Sequence, residues 1–464
     1  MELREFVEKL RSLGIEWLDL QFTDLAGTLR HVTVHTSIVD EESVERGFGK
    51  LDGNSVKGFE PIETSDLVLK PIPETLAVLP WYPKTARVLC TVFARDGSRY
   101  PKDPRYVAEK LEQYLAELGY RALVGLEIEF FVFDSVKVVV EPWRQILEIR
   151  SSESNYFSSV FNRPRDGYYA VPPYDKLFDL RLEVGDTLRK YFGIEATVLH
   201  HEVGAYGQCE IGVEAGTPTV AGDRFQTIKF VVKNVAARRG MVATFMPKPM
   251  HGDNGSGWHI HLSLWSLNGS RNLFYDPSDE YAELSDLARH FVAGLIEHGR
   301  ALSAIVSPTT NSYRRLVPGY EAPVYLVWSR ANRSAAIRVP SYVKGDEKGK
   351  RIEYRPPDPS ANPYLAIAAV IMAGLDGIRK KLEPPDPIDR NVYTMSEEER
   401  RKLGIETLPR SLEEALDELE SDHEWLKPVF TEELIQQYID MKREEARKLN
   451  LYVPPAEILH YLDV

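Results

Sequence analysis

The sequence predicts an α+β protein made of a small N-terminal domain and a larger second one. Three observations carry this. The 464 residues, 43% of them hydrophobic, can bury a sizeable core and exceed the usual length of a single domain. Strand-like runs and helical periodicities both occur along the chain, separated by irregular loops. A polar, turn-rich stretch, RDGSRYPKDPR from Arg95 to Arg105, divides the first part from the rest.

The N-terminal sequence MELREFVEKLRSLGIEWLDL has charged and apolar residues at helical spacing and lacks the features of a signal peptide. Strand-like pieces such as WLDLQFTD and RVLCTVFAR follow it, which makes residues 1–98 a small α+β unit and 99–464 the second domain. Pro104 opens the helix RYVAEKLEQYLAELGY at its favoured first-turn position. Further helices are expected over DRFQTIKFVVKNVAARRG, LSDLARHFVAGLIEHGRALSAIV and NPYLAIAAVIMAGLDGIRKKL. The longest apolar run, Tyr364 to Leu375, is too short to span a membrane and reads as a buried helix. From about Ser396 the chain is charged and helical, as a solvated layer would be.

A net charge of −13 gives no general electrostatic reason to hold nucleic acid or an anionic membrane. Two cysteines, Cys90 and Cys209, are too few for a disulfide framework and lack metal-site spacing, so a reducing cytoplasm is expected.

The segment GLEIEFF carries the first chemical signal. Side chains alternate along a strand, so Val124, Leu126, Ile128 and Phe130 share one face, and Glu127, Glu129, Phe131 and Phe133 the other. A solvated face would expose both phenylalanines, whereas a face opening at one end into a cleft would not. WHIHLSLW likewise puts His259, His261 and Ser263 together, and RIEYR puts Arg351, Glu353 and Arg355 in a cation, anion, cation row. In HHEVGAYGQCE, Glu202 and Glu210 flank a Gly-containing turn that would set them across a hairpin. Singly, each also fits a structural histidine, an exposed glutamate or a surface ion-pair ladder.

Together they supply five glutamates and a histidine, the ligand chemistry of Mg²⁺ or Mn²⁺ rather than of structural zinc. Two carboxylates ~4 Å apart repel by about 4 kcal/mol at an effective dielectric of 20, so a converging cluster either protonates or takes cations. Residues two apart on a strand are separated by about 6.6 Å, which suits Glu127 and Glu129 to two different ions. Five arginines between Asn311 and Pro340 complete a phosphoryl-transfer inventory. The sequence has no GxxxxGK[ST] and no kinase-type GxGxxG.

The stretches LDGNSVKGF, GLEIEFF, HHEVGAYGQCE, ATFMPKP, NGSGWHIHLSL, NSYRRLVPGYEAP, NRSAAIR and RIEYRPPDPSANPYLA occur in this order and span the chain. In them the sequence resembles glutamine synthetases of the prokaryotic class I type. The resemblance implies a β-grasp domain and a catalytic domain whose curved antiparallel sheet, flanked by helices, forms half of a funnel. A neighbouring subunit would form the other half, within a homododecamer of two hexameric rings. By motif position, Glu129, Glu202 and Glu210 would hold one metal, and Glu127, His259 and Glu353 the other. Asn254, Gly255, Arg315 and Arg355 match the glutamate contacts, and His261, Ser263, Arg338 and Arg351 the ATP contacts. Arg333 would stabilise the transferring phosphoryl group. Asp52 would take a proton from ammonium bound at the adjacent subunit's site, and Glu321 would close the site as part of a flap.

The implied reaction forms γ-glutamyl phosphate from glutamate and ATP, and ammonia then displaces phosphate. The alternatives are a γ-glutamyl-amine ligase of the same family and an inactive structural relative; phosphagen-type kinase chemistry fits the whole-chain motifs less well. Asn54, Trp258 and Arg314 stand where the family usually has Ser, Met and Lys, and none of the three is a ligand position. Tyr393, near the place of a regulatory tyrosine in some members, has different flanks and is expected to be an ordinary surface side chain.

Overall fold

The computed structural model describes residues 1–340 and 343–462. Its N-terminal sheet contains β1 (Trp17–Thr23), β2 (Leu29–His35), β3 (Phe48–Asp52), β4 (Asp66–Pro71), β5 (Ala77–Val78) and β6 (Thr85–Phe93). The order is β2-β1-β6-β4-β3, with β5 added to β6. β1 and β6 run parallel, from Trp17 opposite Thr85 to Gln21 opposite Leu89, and the other pairs are antiparallel. The amphipathic helix Leu3–Ser12 buries Phe6, Val7 and Leu10. This is the β-grasp arrangement expected of the first domain.

The second sheet is built from β7 (Tyr120–Phe133), β10 (Ala196–His201), β11 (Gln208–Gly216), β12 (Val242–Thr244), β13 (Trp258–Ser266), β14 (Trp328–Arg330), β15 (Ile337–Val339) and β16 (Ile352–Tyr354). β8 (Ser135–Glu141) and β9 (Arg144–Arg150) form a separate hairpin. The main order is β10-β11-β7-β13-β16-β15-β14, with β12 also on β7. All pairs are antiparallel except β14–β15, a short parallel pair at the edge that corrects the all-antiparallel expectation.

The alternation in β7 behaves as its sequence predicts. Val124, Leu126, Ile128 and Phe130 are buried on one face, together with Trp258 of the neighbouring strand. The helix Pro218–Arg238 covers that face, with the Phe225 ring 4.3 Å from Trp258. On the other face Phe131 and Phe133 are also buried, their rings stacked at 5.6 Å. The glutamate face is therefore closed at one end and open at the other. Burying each phenylalanine stabilises the closed end by about 1.5–3 kcal/mol.

The helix Pro104–Glu117 begins where Pro104 predicts, and the Asp103 carboxylate accepts the Arg105 N–H. The apolar run lies in the buried helix Pro363–Lys380, whose capping residue Asn362 also donates to the carbonyls of Asp24 and Leu25. That side chain ties the two domains together. Among the described residues no helix is long and apolar enough to cross a membrane.

Two expectations need correction. LSDLARHFVAGLIEHGRALSAIV forms two helices, Asp286–Glu297 and Gly299–Val306, rather than one. The break is at His298, whose ring is held by Asp376 at 2.8 Å and Asp422 at 2.7 Å. The C-terminal helices Leu412–Ser421 and Glu432–Leu449 are more than a solvated layer, because they bury Leu412, Leu416, Leu419, Leu434, Ile435 and Tyr438.

Candidate active site

Strand register converts the alternation into rows on the open face of the sheet. One row crosses β10, β11 and β7 as His200, Glu210 and Glu129. The next crosses β11, β7 and β13 as Gly212, Glu127 and His259. A third crosses β7, β13, β16 and β15 as Gly125, His261, Glu353 and Arg338. Gly212 and Gly125 keep space open beside the acids; a Cβ at Gly125 would lie 3.3 Å from that of His261.

The acids and imidazoles interlock. Glu127 lies 3.3 Å from His259 Nδ1 and 3.0 Å from His261 Nε2. His259 Nδ1 is 3.5 Å from Glu353, and its Nε2 is 3.8 Å from Glu129 Oε1. Arg351 Nε donates to His261 Nδ1 at 3.0 Å, which assigns the ring proton to Nε2, on the Glu127 side. Glu353 sits between two guanidinium groups, Arg355 at 2.7 Å and Arg338. The row read from RIEYR is thus a buried network and not a surface ladder.

Three groups have ligand atoms within 4.8 Å of one another: Glu127 with His261 and Glu353, Glu127 with Glu210 and His259, and His200 with Glu202 and Glu210. Glu129 is in none of them, contrary to the simplest form of the expectation. Its Oε2 accepts from Gln208 Nε2 at 3.0 Å and from the Gly257 N–H at 2.8 Å, which leaves Oε1 facing the cluster. Glu202 does not pair across the hairpin with Glu210. The residue opposite Glu210 is His200, 2.9 Å away, and Glu202 begins the turn, where its carboxylate accepts the Val203 N–H. His200 and Gln208 were missed in the sequence. The signal was available, because His200 shares alternation with Glu202, and Gln208 with Glu210.

The carboxyls divide electrostatically. Burial, then the charges of Glu129 and Glu210, pushes Glu202 up to about 9; burial, then Glu127 and Glu353, pushes Glu210 up to about 8. Burial also raises Glu129. Against the same desolvation, Arg355 foremost, with His261, His259 and Arg338, holds Glu353 down at about 2. Glu127 is lowered in spite of burial by hydrogen bonds with His259 and His261. One side of the cluster lacks positive charge and the other is rich in it.

The cluster stands where two cavities adjoin. One, of about 470 Å³, is lined by Glu127, His261, Ser263, Arg338, Arg351 and Glu353. The other, of about 700 Å³, is lined by Glu129, Asn254, Gly255, Arg315 and Glu321. Glu202, His259, Arg333 and Arg355 line both. Gly255 is required sterically, since a Cβ would come 2.4 Å from the Pro247 carbonyl oxygen. Arg315 is fixed by the carbonyls of Pro356 and Arg355. Glu321 occupies the left-handed region at φ 58°, after Gly319 at φ 92°, and its carboxylate accepts from Asn254 at 3.4 Å.

Asp52 is not brought to the cluster. It ends β3 in a separate pocket beside Arg30 and His31, where its carboxylate accepts from the Asn54 N–H and the Ser55 hydroxyl. Asn54 serves Asp52 through its backbone, which any residue supplies. Trp258 lies on the apolar face of the sheet, opposite Ile128, and Arg314 is exposed. Tyr393 departs from expectation: it is partly buried, lines the second cavity and donates to the Ala322 carbonyl at 2.7 Å.

Comparison with known proteins agrees with this geometry. The family model described as "Glutamine synthetase, beta-Grasp domain" matches residues 14–95, and "Glutamine synthetase, catalytic domain" matches 101–461. A glutamine synthetase of Sulfolobus acidocaldarius is 56% identical, covering 99% of this chain and 98% of its own length. One of Thermotoga maritima is 42% identical over 97% of each chain. Among solved structures, the glutamine synthetase of Plasmodium falciparum superposes with a TM-score of 0.89 at 29% identity, covering 99% of both chains. A GmaS–ADP complex superposes at 0.85 with 30% identity, covering 99% of this chain and 100% of the other. The chain therefore belongs to the glutamine synthetase family of ATP-dependent, metal-using ligases.

Proposed function

We propose that the chain joins ammonia to the γ-carboxylate of L-glutamate, coupled to cleavage of ATP, and releases L-glutamine, ADP and phosphate. The observation that carries this reading is the carboxylate–histidine cluster at the junction of two cavities. One cavity offers His261, Ser263, Arg338 and Arg351 to a nucleotide, and the other offers Asn254, Gly255, Arg315 and Arg355 to an amino acid.

The donor set fits two hard divalent cations, Mg²⁺ or Mn²⁺. Glu129, Glu202 and Glu210 would hold one, and Glu127, His259 and Glu353 the other. The raised Glu202 and Glu210 support this fit, since carboxylates crowded against one another in a buried site are stabilised by a cation. Bound there, such ions neutralise phosphate charge and act as Lewis acids.

The remaining work belongs to side chains. Arg315 and Arg355 clamp the substrate carboxylates. Arg333, exposed and bordering both cavities, stabilises the charge that develops on the transferring phosphoryl group. A γ-carboxylate oxygen attacks the terminal phosphorus, and the bond to the ADP oxygen breaks. The resulting γ-glutamyl phosphate must be kept from water, a task suited to the loop that carries Glu321. Asp52 of an adjacent subunit accepts a proton from ammonium, and the ammonia formed expels phosphate from the acyl carbon.

The distance of Asp52 from its own cluster supports active sites shared between subunits, and hence a homo-oligomer, which we take to be a dodecamer of two hexameric rings. Exposed apolar residues on the β8–β9 hairpin, Val138, Trp143 and Leu147 among them, and Leu459 near the C-terminus are suited to burial between copies. Two free buried thiols agree with a cytoplasmic location.

The test is ADP release with Mg²⁺, ATP and glutamate while the amine is varied. Ammonium should drive turnover, and putrescine or ethanolamine should not. Turnover with another amine but none with ammonium would assign the chain to γ-glutamyl-amine ligation, and none with any amine would leave a structural relative.

A further inference from the structure

A cavity of about 950 Å³ shares no residue with either half of the catalytic cleft. It lies in the seam between the N-terminal sheet and the helix Pro218–Arg238, and its volume is in the range of small-molecule sites.

Lys229 and Lys233, one turn apart on that helix, both line it. The Lys229 ammonium donates to the Pro359 carbonyl at 2.8 Å and lies 5.4 Å from the rings of Phe225 and Phe245. Neither lysine has a carboxylate partner among the described residues. The acids that do line the cavity are already engaged. Asp19 accepts from His31, Thr33 and Gln21, and Glu445 pairs with Lys57 and Lys442. Burial, with Lys233 beside it, pulls the Lys229 ammonium down to about 7. Lys229 is half-buried and Lys233 exposed; with one carbonyl acceptor, two ring faces and no ion pair, the Lys229 ammonium keeps N–H donors that an anion entering the cavity can take. Leu79, Phe230, Phe245 and Met246 give the same cavity an apolar wall.

We propose that this cavity binds a small organic anion with an apolar body, its carboxylate against Lys229 and Lys233 and its body against Phe230, Phe245 and Met246. The site shares no residue with the metal and substrate cavities of its own chain, although Leu29, Arg30 and His31 also line the Asp52 pocket, and its ligand is recognised by one negative charge and by hydrophobic bulk.

Calorimetric titration of the assembled enzyme with 4-phenylbutyrate and its neutral amide tests this, with Mg²⁺, ADP and glutamate saturating so that the arginines of the catalytic cleft are occupied. The acid should bind once per chain and roughly tenfold or more tightly than the amide, the loss expected when a charged hydrogen bond goes unmade. Lys229→Met and Lys233→Met should each weaken the acid by about tenfold while leaving ammonium-dependent turnover without the probe unchanged. Equal binding of acid and amide, unchanged affinity in the variants, or no saturable binding would overturn the proposal. If Lys229→Met fails to assemble, the acid–amide comparison and Lys233→Met decide it.

Discussion

Adding Mn²⁺ to the ion-free protein should expel protons. Glu202 and Glu210, raised to about 9 and about 8, are the carboxyls concerned. At pH 7.5 both groups are therefore largely protonated, so ligation displaces roughly one to two protons. Titration calorimetry in buffers of different ionisation enthalpy reads that number from the slope of observed against buffer enthalpy. Because protons and cation compete, affinity should fall by roughly 30- to 100-fold between pH 7.5 and 6.5. Glu202→Gln should remove about one of the released protons, since an amide carries none at that position. An enthalpy independent of buffer, or an affinity indifferent to pH in this window, would refute the claim that crowded acids create the site.

The same groups fix the sign of the ion-free protein's pH dependence. Glu202 has a folded value of about 9, above its ordinary 4.5, so between the two the folded state binds a proton that the unfolded state lacks. Stability in chelator should therefore be full below about pH 4.5 with respect to this group and fall as pH rises towards 9, with Mg²⁺ reversing the loss. Thermal melts at pH 6 and 9 check it, and a chelated protein more stable at pH 9 would contradict it. Gly257→Ala should act on substrate binding, because the new Cβ would come 2.5 Å from Arg315 Nη2 and 3.2 Å from His259 Nε2. Displacing that guanidinium should raise the KM for glutamate about tenfold or more, and by more than the KM for ATP, since the approach to His259 is the looser of the two.

Much of the site was legible because strand alternation is local. Glu127, Glu129, His259, His261 and Glu353 share the open face of the sheet, as their spacing in GLEIEFF, WHIHLSLW and RIEYR requires. What alternation does not contain is register. Whether Glu210 faces His200 or Glu202 depends on how many residues the turn consumes, and the turn takes Glu202 out of the strand. The orientation of Glu129 depends on Gln208 and on a backbone N–H from a distant loop, neither of which a strand pattern reports. Nor does helical periodicity announce the break at His298, because the two aspartates that hold the imidazole come from elsewhere in the chain. The parallel pairing of β1 with β6 is likewise a long-range choice between strands whose local pattern suits either direction.

The central claim is that a glutamate oxygen takes the phosphoryl group before nitrogen arrives. Glutamate labelled with ¹⁸O in its γ-carboxylate, incubated with ATP, Mg²⁺ and ammonium, tests it directly. The account predicts one labelled oxygen in each phosphate released, transferred when ammonia breaks the acyl C–O bond. Phosphate released without the label, at the rate at which glutamine forms, would contradict it.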